Sequence, residues 1–122
     1  MADYVPLYLP GDAVNSTASA TVTGGQAVYV SGSGTVAPSG SAANIPVGIA
    51  AFDASNGAGV GFFARGTVHR LTASGTVTAG DVVEAAAAGA VATHTQGTND
   101  VRSFGIALTT ATTGNTVEVM EI

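Results

Sequence analysis

Residues 17–28 return, with few changes, as residues 72–83, an offset of 55 positions. Val47-Gly48-Ile49-Ala50 returns as Phe104-Gly105-Ile106-Ala107, and residues 57–62, with Val60 and Phe62 alternating, return as residues 114–119, with Val117 and Val119 alternating. These later pairs stand 57 positions apart, which places a short insertion in a loop of the second copy. An internal repeat defines the folding unit before any single motif does. It divides the chain into an extended arm over residues 1–10, a first β repeat over 11–65 and a second over 66–122, with 11–122 forming one domain. Catalytic sites need unlike residues converging from different places, so a doubled unit with few reactive side chains points to a structural part.

The local pattern of each copy is short runs of Val and Thr cut by Gly, Asn, Asp and Ser, which is the signature of strands and turns. Strands are expected near 13–16, 20–23, 27–31, 35–37, 46–52 and 59–64. In the second copy they are expected near 67–72, 75–78, 82–86, 90–93, 103–109 and 115–121. The chain reads as all-β, a compact β-barrel or β-sandwich built from two tandem β repeats. One segment resists this. Asp81-Val82-Val83-Glu84-Ala85-Ala86-Ala87-Ala88 has high intrinsic helix propensity because Ala leads that scale. Its counterpart, Gln26-Ala27-Val28-Tyr29-Val30-Ser31-Gly32-Ser33, has none, and the repeat decides for strand followed by a turn at Gly89.

Gly, Ala, Thr and Ser supply over half of the 122 residues, so the core is thin and rich in Val and Ala. A domain of this size buries a limited share of its surface, and small side chains make that share yield less. Such chains gain stability by associating with copies of themselves or with a larger partner. Three Arg, no Lys and eight Asp or Glu leave a net charge of −5. Neutralising phosphates requires clustered cations, so neither nucleic acid nor an anionic membrane is an expected partner. No apolar run approaches the 18 residues of a transmembrane helix, and the first residues lack the basic and apolar regions of a secretory signal. Zero Cys removes disulfides, thiolate metal sites and thiol nucleophiles together.

Candidate chemistry is sparse. Gly57-Ala58-Gly59-Val60-Gly61 is rich in glycine, but a phosphate loop needs a helix behind it, and here a strand follows. His69 and Arg70 are adjacent on a strand and so point to opposite faces, which leaves His69 a partly exposed strand residue. No Ser lies in a Gly-x-Ser-x-Gly elbow, and without Lys no Ser-x-x-Lys pattern exists. Asp12 and Asp81 follow Gly and read as turn residues, while Glu118 between Val117 and Val119 points away from their face. No enzyme, no cofactor and no metal site is expected. The loops around 37–45 and 92–102, the second holding His94 and Asn99, are expected at the surface.

The arm differs from the rest. It holds two of the three Tyr and two of the four Pro. Pro6 and Pro10 hold Val5 and Leu9 extended. Tyr4, Val5, Pro6, Leu7, Tyr8, Leu9 and Pro10 together need a surface to lie against. Either the arm packs on its own domain or it contacts a partner, with Tyr4, Leu7 and Tyr8 as anchors. Lacking Lys, exposed strand edges have no common guard against edge pairing, and subunit or partner contacts are expected to cover them.

Tyr8-Leu9-Pro10-Gly11-Asp12-Ala13-Val14, the segment from Ala20 to Val28, Val47-Gly48-Ile49-Ala50 and Gly66-Thr67-Val68-His69-Arg70-Leu71 follow one another in an order that resembles the small capsid decoration (cement) proteins of tailed bacteriophages. Gln26 stands where that family has Asp after the first turn, whereas Asp81 keeps it, and the aromatic-rich lid segments of some members are missing. The resemblance implies a β-rich, non-enzymatic protein on the outer capsid surface of a virion. It implies a homo-oligomer, commonly a trimer, bracing neighbouring major capsid protein subunits. The alternative is a carbohydrate- or receptor-binding β module on a virion surface, for which exposed aromatics beyond the arm would be needed.

Overall fold

The computed structural model describes residues 4–9, 11–40, 44–97 and 100–122. Its first half contributes β1 (Ala13–Ala18), β2 (Ala27–Gly32), β3 (Thr35–Pro38), β4 (Pro46–Ala50) and β5 (Gly59–Phe63). These close into a barrel of order β1-β3-β2-β4-β5, with β5 returning to β1. The seam is the short parallel pair Thr17–Thr35 and Ala18–Val36. The second half contributes β6 (Val68–Thr72), β7 (Val82–Ala85), β8 (Val91–Thr93), β9 (Ser103–Ala107) and β10 (Thr116–Glu121), in the order β6-β10-β9-β7-β8. Here the corresponding seam is a single parallel bridge, Ala73–Val91. The pairing order is therefore the same in both halves, but only the first closes fully.

The details repeat as well. Val22 exchanges backbone hydrogen bonds with Ala54, and Val77 with Ala111. The expected strands at 20–23 and 75–78 are no more than these isolated bridges. Each lies between turns, and its Val, essentially fully buried, serves to plug the core and does not extend a ladder. The Ala-rich segment is strand over Val82–Ala85, followed by a single 3-10 turn at Ala87–Gly89. Four central strand residues cannot satisfy a helix's backbone once β8 and β9 pair on either side. A register shift falls at equivalent places, between Val28 and Tyr29 and between Val83 and Glu84. Glycine is required beside it: a Cβ at Gly48 would lie 2.4 Å from the Phe63 carbonyl oxygen, and one at Gly105 2.8 Å from that of Met120.

Strand alternation sorts side chains between two cores. On the inner face of the first half, Val28, Ala50 and Phe62 join Val36, Val22 and Val60. On its outer face, Ala13 pairs with Phe63, Phe63 with Ile49, and Ile49 with Ala27. Ala27 and Ile49 of this outer row are buried in the core of the second half, with Leu71, Val83, Val91 and Phe104. The first barrel thus packs its outer face on the second half. Gln26 and Gly89 complete the joint: Gln26 Nε2 donates to the Ala88 carbonyl at 2.8 Å, and Gly89 N–H to that of Ser39 at 2.9 Å. Gly89 has φ of 73°, and a Cβ there would lie 2.5 Å from that of Gln26.

Candidate functional site: the arm, its cleft and two buried ionisable groups

The arm is tethered at its base and free beyond it. Leu9 N–H donates to Asp12 Oδ2 at 2.9 Å, Asp12 N–H returns to the Leu9 carbonyl at 3.0 Å, and Asn15 N–H donates to Tyr8 Oη at 3.2 Å. Asp12 is thus the turn residue its position after Gly11 predicts. Tyr4 and Leu7 are 87% and 92% exposed, and Val5, Pro6 and Leu9 also face solvent, while Tyr8 is 38% exposed. Within the molecule, Tyr8 rests on its own domain at the base of the arm, while Tyr4, Val5, Pro6 and Leu7 stand exposed. Pro10 lies outside the described residues, as does Asn99 of the second long loop. Tyr8 and Leu9 line a cleft of about 520 Å³ together with Val14, Val47 and Ala64, and with Asp12 and Arg65 as its charged members.

The second loop is not simply surface. His94 is buried, its Nδ1 3.1 Å from Glu84 Oε1 and its Nε2 2.8 Å from Asp100 Oδ1. Arg102 pairs with Glu84 and donates through Nη2 to the Ala85 carbonyl at 2.8 Å. The hydrogen bond to Asp100, helped by Glu84, raises the His94 pKa against the opposing effect of burial. The same bond, with the Gly97 N–H, lowers that of Asp100. With both ring nitrogens facing carboxylates the imidazolium form is favoured, and in that form the ring has no lone pair for base catalysis or metal ligation. The group clasps the 3-10 turn at Asp100–Arg102 to β7. Single-sequence reasoning missed it because its members are spread over residues 84–102; the available signal was that a chain with so few charges places four ionisable groups there.

His69 is more enclosed than its strand position suggests. Its ring lies 6.2 Å from that of Phe63, and Nε2 is 3.9 Å from Glu121 Oε1. Glu121 is 4% exposed, and neither carboxyl oxygen has a hydrogen-bond partner among the described residues. Burial raises its pKa to about 7 against the opposing pull of Arg65, and burial lowers that of His69. Glu118 faces outward as expected, with Arg70 Nε 4.0 Å away. Among the described residues no group of three or more His, Asp or Glu is placed to hold a metal ion. What remains is an exposed apolar arm bordering a largely apolar cleft.

No curated protein matches the chain. Among solved structures, the chain superposes on the head fiber gp8.5 N base of bacteriophage phi29 with a TM-score of 0.69 at 19% identity, covering 91% of this chain and 93% of that one, which shows a shared fold. A family model described as phage cement protein matches residues 8–122. By that match over nearly its whole length, the chain belongs to the phage cement protein family.

Proposed function

We propose that this protein stabilises a tailed-phage head by binding its outer face and bridging neighbouring major capsid subunits. Family membership places it on the exterior of a virion capsid as a structural component. The observation that carries the bridging role is the arm: Tyr4, Val5, Leu7 and Leu9 leave apolar surface in water while Tyr8 and Asp12 hold the base in place. An unpartnered apolar segment of this kind gains free energy when a partner covers it. Binding only to the assembled shell then stabilises the shell by mass action, with many modest contacts adding up. Self-association into a trimer belongs to the same reading, as does the division of the domain into copies at 11–65 and 66–122, which the matching pairing order supports.

Deleting residues 2–9 is the test. The shortened chain is expected to keep its far-ultraviolet circular dichroism and its melting temperature within a few degrees, since the arm covers little of the core. Co-sedimentation with undecorated heads should fall at least tenfold. Full retention on heads removes the arm from the mechanism.

A further inference from the structure

The outer row of the first half has a counterpart. Val68 pairs with Met120, Met120 with Ile106, and Ile106 with Val82. At the repeat offsets these four correspond one for one to Ala13, Phe63, Ile49 and Ala27, with the same pairings in the same order. Directly opposed residues share a face of the sheet, so the row is a continuous apolar stripe across four strands. Its fate differs. Ala27 and Ile49 are buried against the second half, whereas Val68 and Met120 are 54% and 37% exposed and Ile106 and Val82 are partly exposed.

The molecule itself shows what covers such a row. The receiving surface on the second half includes His69 beside Phe63, Phe104 and Glu121 beside Pro46 and Val47, and Gly89 beside Gln26. The matching positions in the first half are Val14, Val47, Ala64 and Gly34. Val14, Val47 and Ala64 line the open cleft that Tyr8 and Leu9 of the arm border. Gly34 has φ of 74°, like Gly89, but a Cβ there would meet nothing within 4 Å. One half of the joint is therefore an uncovered stripe, and the other half is an unfilled cleft.

We infer that a second copy of this chain docks its Val68–Met120–Ile106–Val82 stripe into the first-half cleft, repeating between molecules the joint that each molecule makes within itself. This rests on the reading of the halves as copies and gives the proposed self-association a surface. The contact is heterologous: stripe meets cleft, never stripe meets stripe. Such contacts close into a ring when the rotation permits. Asp81, the counterpart of Gln26, arrives beside Ser33 and Gly34, where the Ser33 hydroxyl is the matching donor. The arm, whose Tyr8 and Leu9 border the cleft, lies beside the incoming molecule.

The chain has no cysteine, so single introduced thiols report the contact without background. Full-length Met120→Cys and Val14→Cys proteins, placed like Phe63 and His69, are treated with a short thiol–thiol linker, separately and mixed. The mixture is expected to give a covalent dimer at least tenfold above either protein alone. Met120→Asp, folded by circular dichroism, is expected to sediment as a smaller species than the parent. Equal dimer from Met120→Cys alone means stripe meets stripe and overturns the inference, as does absence of cross-link both in solution and on heads. Co-sedimentation of the unmodified protein with heads is scored separately, so loss of capsid binding is not confused with loss of this contact.

Discussion

Glu121 is a single carboxyl placed where its charge is costly. Its folded pKa, about 7, lies above the unfolded value, so between roughly pH 4.5 and 7 the folded protein binds the extra proton. Stability from this group is full below that window and is lost as pH rises through it. Glu121→Gln removes the dependence, and its advantage over the parent should grow from pH 4.5 to 7 and then level off. The size of the shift sets a ceiling of roughly 3 kcal/mol, and with screening about 1–2 kcal/mol is expected, read by urea unfolding at pH 5 and 8. His69, beside this carboxyl, contributes in the opposite direction, its share lost as pH falls, so making Glu121→Gln in a His69→Gln background isolates the carboxyl. A flat difference refutes the assignment. Gln26 is a second informative position. Its Oε1 accepts from Thr23 N–H at 2.8 Å, as Asp81 Oδ2 does from Thr78 N–H at 3.0 Å, so the turn is kept. Its amide also reaches Ala88, which a carboxylate cannot do as a donor. Gln26→Asp should cost about 1–2 kcal/mol by leaving that carbonyl facing a charge, measured by chemical denaturation.

Elements were legible in the sequence where two similar stretches could be compared. The strand at Val82–Ala85 follows from its partner at Ala27–Gly32 against its own propensity, because long-range pairing outweighs a local preference of a few tenths of a kcal/mol per residue. The arm stood apart through Tyr and Pro. The clasp around His94 was not legible, since its counterpart loop has another length and the repeat gives no template there. Its test is electrostatic. A His whose folded pKa is raised stabilises fully below its unfolded value of 6.5, and that contribution fades as pH climbs through the folded one. His94→Gln should therefore lower the melting temperature by a few degrees at pH 5.5 and by less at pH 8.5. An equal loss at both would make the role one of packing alone.

At the level of the whole molecule, the halves are alike in order and unlike in dependence. The first closes around its own interior, while the second takes Ala27 and Ile49 from outside to finish its core. Expressed separately, residues 11–65 should retain strand structure, and residues 66–122 should not fold until the first fragment is added. Circular dichroism of each fragment and of the mixture checks this, and independent folding of the second would contradict it. The repeat in the sequence predicted two units. It did not predict that one would serve as the lid of the other, because alternation marks an apolar face without naming what lies on it. The stripe from Val68 to Val82 has a plainer consequence. None of its four side chains carries charge, and the ladders on either side already occupy much of the backbone. Whatever rests on these four side chains is held there mainly by water's exclusion, so chilling should loosen it, sulfate should tighten it, and a wash in concentrated sodium chloride should leave most of it in place.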